Sequence, residues 1–285
     1  MKVAFLGTGL MGGLMAQRLI NKNFSLVVWN RTIEKTEKLK SLGAKVAANP
    51  KEAINECKTI ITMLSDYNAI IEVLFKDEIS FTGKTVIQMS TISPGESILL
   101  KERVEYLGGE YLEAPVLAGV AQAGEGKLLP MVGSTVEQFE KWKPFLNNLG
   151  VTIQHMGEVG KGSAAKLACN QLIATMLTSF AMSVGYIREN NIDVEKFMTI
   201  LRPSSYYASA FDKKLPNMIN RDFLDTNFPL KHLLKDLNLV ISEFESKGLS
   251  TKVLEPIKRI LMEGIRKNFS EADYSALYGI IHPEK

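Results

Sequence analysis

A glycine triplet set between a strand and a helix constrains this chain more than any other feature. Lys2-Val3-Ala4-Phe5-Leu6 reads as a short apolar strand, and Gly7-Thr8-Gly9-Leu10-Met11-Gly12 follows at once. Leu14, Met15, Leu19 and Ile20 then recur at helical spacing. Strand, turn and helix in that order give the Gly-x-Gly-x-x-Gly spacing a mechanical meaning. Gly7 permits the tight turn, Gly9 lets backbone approach a pyrophosphate, and Gly12 lets helix and strand pack closely. The helix N-terminus offers unpaired N–H groups and a partial positive charge to the phosphates. The motif predicts a dinucleotide site formed by Gly7, Thr8, Gly9, Leu10, Met11 and Gly12.

The second apolar strand, Ser25 to Trp29, ends in Asn30-Arg31-Thr32. In such a site the tip of this strand meets the adenine ribose, where a carboxylate usually takes the 2′-hydroxyl. Here the position is a neutral Asn30 followed by Arg31. A carboxylate repels a 2′-phosphate, whereas a guanidinium grips it with paired hydrogen bonds. The sequence therefore favours NADP, with NAD possible. Thr32 is expected to cap a helix over 33–42, whether or not it also touches phosphate.

The rest of the first half alternates strand and helix. Candidate strands lie at 3–6, 26–29, 45–47, 59–63, 85–88, 111–113, 130–132 and 152–155. Asn49-Pro50 and Ser93-Pro94 read as helix starts, an N-cap with proline in the first turn. This alternation implies a mostly parallel sheet wound by helices on both faces. Beyond about residue 160 the pattern turns helical, with segments at 163–190, 193–201, 208–219, 230–247, 251–267 and 272–280. The expected organisation is a dinucleotide-binding domain at 1–161 and an all-helical domain at 162–285, with the glycine-rich run 157–162 as hinge.

Composition narrows the function classes. Thirty-four basic residues against 31 acidic give a net charge of +3, and no basic run is interleaved with aromatics, so nucleic acid is not an expected partner. The two cysteines, Cys57 and Cys169, suggest neither a disulfide framework nor a metal site, and cytoplasmic residence is the simple expectation. The apolar start of the chain resembles a secretory signal, but glycines interrupt it at the fingerprint positions. Residues 167–186 carry no charge over a length that could span a bilayer. Asn170, Gln171, Thr175, Thr178, Ser179 and Ser183 make that stretch too polar for a lone span. No membrane is expected; the stretch reads as a helix buried between domains or subunits, and a homodimer or homotetramer is expected.

Hydride transfer to a carbonyl needs a proton donor for the oxygen. His155, His232 and His282 sit in no readable motif, and no His/Cys/Asp grouping has metal-ligand spacing. Lys166 is the last charge before the uncharged stretch, and Asn170 lies four residues on, on the same helical face. A cation entering an apolar stripe is costly unless it is exposed or functional. Spacing alone leaves both readings open: a helix-end lysine that reaches water, or an acid–base group.

Five segments in order resemble the β-hydroxyacid dehydrogenases, the group of 6-phosphogluconate, 3-hydroxyisobutyrate and glyoxylate/succinic semialdehyde enzymes. They are Gly7 to Gly12; Ser90-Thr91-Ile92-Ser93-Pro94; Gly160-Lys161-Gly162 with Lys166 and Asn170; Lys235-Asp236-Leu237; and Asp273-Tyr274-Ser275-Ala276-Leu277. The resemblance implies a Rossmann-type doubly wound sheet followed by an all-α domain, and an NAD(P)-dependent oxidoreductase. It implies Lys166 as proton donor, Asn170 as a ligand of substrate or of that lysine, Thr91 near the nicotinamide, and Lys235 reaching the cofactor. Leu64 and Ser65, on another post-strand loop, would line the cofactor's path. Trp29-Asn30-Arg31-Thr32, Glu113-Ala114-Pro115-Val116 and Phe228-Pro229-Leu230-Lys231-His232 look most like the NADPH-dependent glyoxylate/succinic semialdehyde reductases. A small carbonyl or hydroxy-acid substrate is implied, held by Thr91, Asn170, Lys235 and the loop Leu117-Ala118-Gly119. One departure stands out: Leu117 occupies a position where the family usually has serine to help hold a substrate carboxylate. Taken as buried, Leu117 donates no hydrogen bond, so weaker affinity for glyoxylate is expected. An oxidative, NAD-linked 3-hydroxyisobutyrate-type dehydrogenase and a non-catalytic NADP-binding module are the alternatives.

Overall fold

The computed structural model describes residues 1–284. Nine strands form one sheet: β1 (Lys2–Leu6), β2 (Ser25–Trp29), β3 (Lys45–Val46), β4 (Thr59–Thr62), β5 (Thr85–Gln88), β6 (Glu110–Glu113), β7 (Val116–Leu117), β8 (Leu129–Gly133) and β9 (Gln154–Gly157). Their order is β3-β2-β1-β4-β5-β6-β8-β7, and β9 pairs with β8. The first six strands pair in parallel; β8 runs antiparallel to β6 and β7, and β9 parallel to β8. The strand order reverses between β1 and β4, and in such sheets ligands bind at the carboxyl ends of the strands beside that switch point.

Burial on both faces explains why these strands read as nearly continuous apolar runs. Val3, Phe5, Val28, Ile61 and Ile87 belong to one core cluster; Ala4, Leu6, Val27, Ile60 and Val86, their neighbours in sequence, belong to another. Successive side chains point to opposite faces, so one strand feeds both cores.

Local capping follows sequence chemistry at several helix starts. Asn49 Oδ1 accepts the Glu52 N–H at 2.9 Å, and Ser93 and Glu96 form a reciprocal capping box. Thr32 does not behave as expected: its side chain makes no cap bond. The Lys35 N–H, which a capping hydroxyl would take, donates instead to the Thr32 carbonyl at 3.2 Å. The segment consequently opens as a 3₁₀ turn, Ile33–Thr36, before a short helix, Glu37–Ser41.

By contact density the chain divides into two units, Met1–Leu167 and Ala168–Lys285. The division falls inside a 29-residue helix, Lys161–Glu189, rather than at its start. This helix is long and apolar enough to cross a membrane by length and composition. In the second unit its Ala174, Leu177, Ala181 and Val184 form a buried stripe at helical spacing, while Leu172, Met182 and Tyr186 are exposed. That unit contains no β-strand among the described residues; its other helices are Val194–Leu201, Ser209–Asn220, Leu230–Ser246, Leu254–Arg266 and Leu277–Ile281.

Candidate active site

The fingerprint sits where its spacing requires. Gly7 follows β1 with φ +100°, a conformation that disfavours a side chain, and a Cβ there would collide with the Met63 carbonyl. A Cβ on Gly12 would strike the Gly7 carbonyl, so the helix Leu10–Asn21 can start this close to the strand only with glycine there. Gly9, the helix N-cap, has open space where a Cβ would stand. No side chain caps this helix, and its first turn carries no acidic residue. The Thr8 hydroxyl is buried and has no hydrogen-bond partner. Unclaimed donors and a positive helix end suit an anionic dinucleotide, and the buried Thr8 hydroxyl adds an unsatisfied polar atom at the same place.

The post-strand loops surround this turn. Asn30 Oδ1 accepts the Thr8 N–H at 3.0 Å, and its amide donates to the Thr32 carbonyl at 2.8 Å. Asn30 therefore braces the glycine turn, a role that the strand-tip reading did not anticipate. Arg31 and Thr32 are exposed. Met63, Leu64 and Ser65 follow β4, and the Leu64 N–H donates to Ser90 Oγ at 2.8 Å. Ser90 is itself held by Gln88, so the loop leading to half-buried Thr91 is tied to the loop after β4. A polar, fully buried Gln88 at the end of an apolar strand is the signal that marked this brace.

The loop after β6 corrects one expectation. Leu117 is half-buried rather than buried; it lies in the two-residue strand β7, which pairs with β8. The Gly119 N–H already donates to Gln122 Oε1 at 3.1 Å, in a capping arrangement at the start of the helix Val120–Glu125. The Gly119 N–H is thus occupied by the chain's own Gln122 side chain.

Lys166, in the first unit, is 9% exposed. Asn170 lies one turn further along the same helix and is buried; its amide donates to Asp236 Oδ2 at 2.6 Å, while its Oδ1 has no partner. Asp236 is buried in the helix Leu230–Ser246, on the stripe that also buries Leu233, Leu237 and Val240. A charged residue on an apolar stripe was legible in the sequence; its role as the anchor of Asn170 was not. Lys235 Nζ lies 2.8 Å from Asp236 Oδ1. His232, on the same helix, has its pKa lowered by burial and then by Lys235 and Lys231, so it takes up a proton less readily than a free imidazole. His155 bonds the Ser134 carbonyl at 2.9 Å and stacks on Phe139, a packing role. Among the described residues no group of His, Cys, Asp and Glu could hold a metal ion.

Residues 2–157 match the NAD binding domain of 6-phosphogluconate dehydrogenase, and residues 160–281 match a domain described as NAD-binding of NADP-dependent 3-hydroxyisobutyrate dehydrogenase. The chain belongs to the β-hydroxyacid dehydrogenase family. Like other β-hydroxyacid dehydrogenases it is an NAD(P)-dependent oxidoreductase acting on CH–OH groups of small molecules. Among similar members, glyoxylate/succinic semialdehyde reductase 2 of Arabidopsis thaliana is 32% identical, over 96% of this chain and 78% of that protein. The 2-hydroxy-3-oxopropionate reductase of Escherichia coli is 30% identical, over 97% and 96%. In fold, this β-hydroxyacid dehydrogenase resembles the 3-hydroxyisobutyrate dehydrogenase of Mycobacterium tuberculosis, with a TM-score of 0.86, 22% identity and 97% coverage of both chains.

Proposed function

We propose that this β-hydroxyacid dehydrogenase works as an NADPH-preferring reductase of small aldehydes and of 2-keto or semialdehyde acids, with Lys166 as proton donor. The observation that carries the reading is an ammonium group at 9% exposure, one helical turn before a buried amide whose oxygen lacks a partner. The names of the relatives, reductases of glyoxylate, succinic semialdehyde and 2-hydroxy-3-oxopropionate, support the reductive direction. Arg31, exposed beside a neutral Asn30, supports the 2′-phosphate.

When bound, the reduced nicotinamide supplies the hydride. The glycine turn and the first turn of the helix Leu10–Asn21 hold the pyrophosphate, and Asn30 keeps that turn in shape. Leu64, Ser65 and Thr91, on the loops after β4 and β5, would line the cofactor's path. Lys166 Nζ transfers a proton to the carbonyl oxygen as the carbon is reduced, and is reprotonated from solvent afterwards. Asn170 orients the substrate or Lys166, itself oriented by Asp236.

The loop 117–119 bears on substrate choice. Leu117 supplies no donor and the Gly119 N–H is taken by Gln122, so this loop grips a carboxylate weakly and suits less charged carbonyls. An oxidation assay over glyoxylate, succinic semialdehyde, methylmalonate semialdehyde and propionaldehyde, each with NADPH and NADH, tests the whole reading. NADPH is the expected donor, and Arg31→Ala should weaken NADPH while sparing NADH. Leu117→Ser should raise kcat/KM for the acids over propionaldehyde by about tenfold, the scale of one hydrogen bond to a charged group. Tight NADPH binding with no turnover across the panel would sink the reductase assignment; unchanged acid discrimination in Leu117→Ser would remove the loop argument.

Assembly as a homodimer or homotetramer through the helical unit belongs to the same reading. Exposed Leu172, Met182, Tyr186, Ile200 and Tyr206 support it. Sedimentation as a monomer at micromolar concentration would refute it.

A further inference from the structure

Glu113 ends strand β6 and is fully buried. Three donors converge on its carboxylate, none of them a cation. Oε1 accepts the Gly160 N–H at 2.8 Å and the Ser163 N–H at 3.1 Å, and Oε2 accepts the Ser163 hydroxyl at 2.6 Å. Burying a carboxylate this completely is costly unless its oxygens are satisfied, and here both are. The surroundings are shaped to admit it. Gly133, its antiparallel partner on β8, has no side chain, and a Cβ there would strike Glu113 Oε1; a Cβ on Gly162 would stand 3.1 Å from the same atom.

The helix that starts here is Lys161–Glu189, which bears Lys166. The helices beginning after Asn49, Asp66, Ser93, Thr135 and Asp193 are each capped by the side chain of that adjacent residue. This one takes its cap from a strand 50 residues away. Ser163, which gives two of the three bonds, is three residues before Lys166 and so one turn away on the same face. On the other side, Glu113 leads directly into Ala114-Pro115-Val116 and the loop Leu117-Ala118-Gly119. A single side chain therefore pins the turn that precedes the lysine to the strand end that precedes the candidate substrate loop.

We propose that Glu113 is a positioning residue for the reduction, fixing the first turn of the helix so that Lys166 stands in register with the loop 117–119. This rests on Lys166 being the proton donor. Misplacing a reacting group by about 1 Å costs on the order of a hundredfold in rate, so Glu113 acts on kcat rather than on cofactor affinity.

A double-mutant cycle tests the assignment. Glu113→Gln keeps the size but presents an amide N–H₂ or a single acceptor oxygen to three donors. Its kcat is expected to fall about ten- to a hundredfold, with the Kd for NADPH, read by nucleotide fluorescence, within about threefold of wild type. Amide hydrogen exchange over residues 160–167 should quicken in the same variant. Added to Lys166→Ala, Glu113→Gln should cost nothing further in kcat, because the group it positions is gone. An equal loss in both backgrounds, or an unchanged kcat in folded Glu113→Gln, overturns the assignment while leaving the proton-donor reading intact. Wild-type turnover in Lys166→Ala alone overturns that reading instead, and with it the route by which Glu113 acts. Should Glu113→Gln fail to fold, Ser163→Ala removes only the 2.6 Å hydroxyl bond, and the same cycle with a smaller drop decides the matter.

Discussion

Lys166→Ala is expected to lower turnover by about 10²–10⁴-fold, the usual worth of a positioned general acid, with NADPH binding kept at wild-type affinity. The magnitude follows from what the side chain does. Hydride arriving at a carbonyl carbon would leave an alkoxide, and without Lys166 no positioned acid would stand ready to protonate it. The cofactor turn, held by Gly7, Gly12 and Asn30, does not depend on Lys166, so binding and turnover should separate. Lys166→Arg sharpens the test: a guanidinium keeps the charge but does not give up its proton near neutrality, and should leave turnover nearly as low as alanine does. Turnover close to wild type in either variant would remove Lys166 from the chemistry. The measurement is single-turnover NADPH oxidation beside a fluorescence titration of the nucleotide.

Asp273→Ala should destabilise the helical unit by about 3–5 kcal/mol, the range found when a buried ion pair loses one partner. Lys214 Nζ lies 2.8 Å from both Asp273 oxygens, and both side chains are buried. The same carboxylate accepts the N–H groups of Asn227, Phe228 and Ser275, and so fixes the entry to the helix Leu230–Ser246 that bears Lys235 and Asp236. Removing it leaves a buried ammonium and the buried Ser275 N–H without their partner, and the half-buried N–H groups of Asn227 and Phe228 without theirs. That loss is a large part of an ordinary domain's 5–15 kcal/mol. Urea denaturation followed by circular dichroism measures it; a midpoint within experimental error of wild type would show that the pair contributes nothing. Exchanging both partners for apolar residues, Lys214→Met with Asp273→Leu, should recover only part of the stability: the burial penalty goes with the charges, but the N–H groups of Asn227, Phe228 and Ser275 still lose their acceptor.

The difference between what was legible and what was not is clearest at particular residues. The glycine turn was readable because its constraint is local: steric exclusion of a Cβ acts within a few residues of the chain. The helix caps at Asn49 and Ser93 were readable for the same reason, since a cap reaches three residues. Thr32 misled because two local bonding patterns compete there, and the 3₁₀ alternative took the N–H that the hydroxyl needed. The two-residue strand β7 escaped the sequence reading. Lys166 and Asn170 could be placed on one face from spacing, but spacing left the lysine free to reach water; burial to 9% is a property of what packs around it.

The amino-acid order by itself determined the alternation of strands and helices, the dinucleotide turn and the membership of the family, because periodicity, turn sterics and short motifs are properties of neighbours along the chain. Only the tertiary structure decided that Asn30 braces the turn, that Asp236 holds Asn170, and that Glu113 caps the helix of Lys166. Most of these partners are tens of residues apart, and a hydrogen bond is specific only at about 3 Å. Its partner is therefore fixed by where the folded chain brings two groups together, which no local pattern encodes.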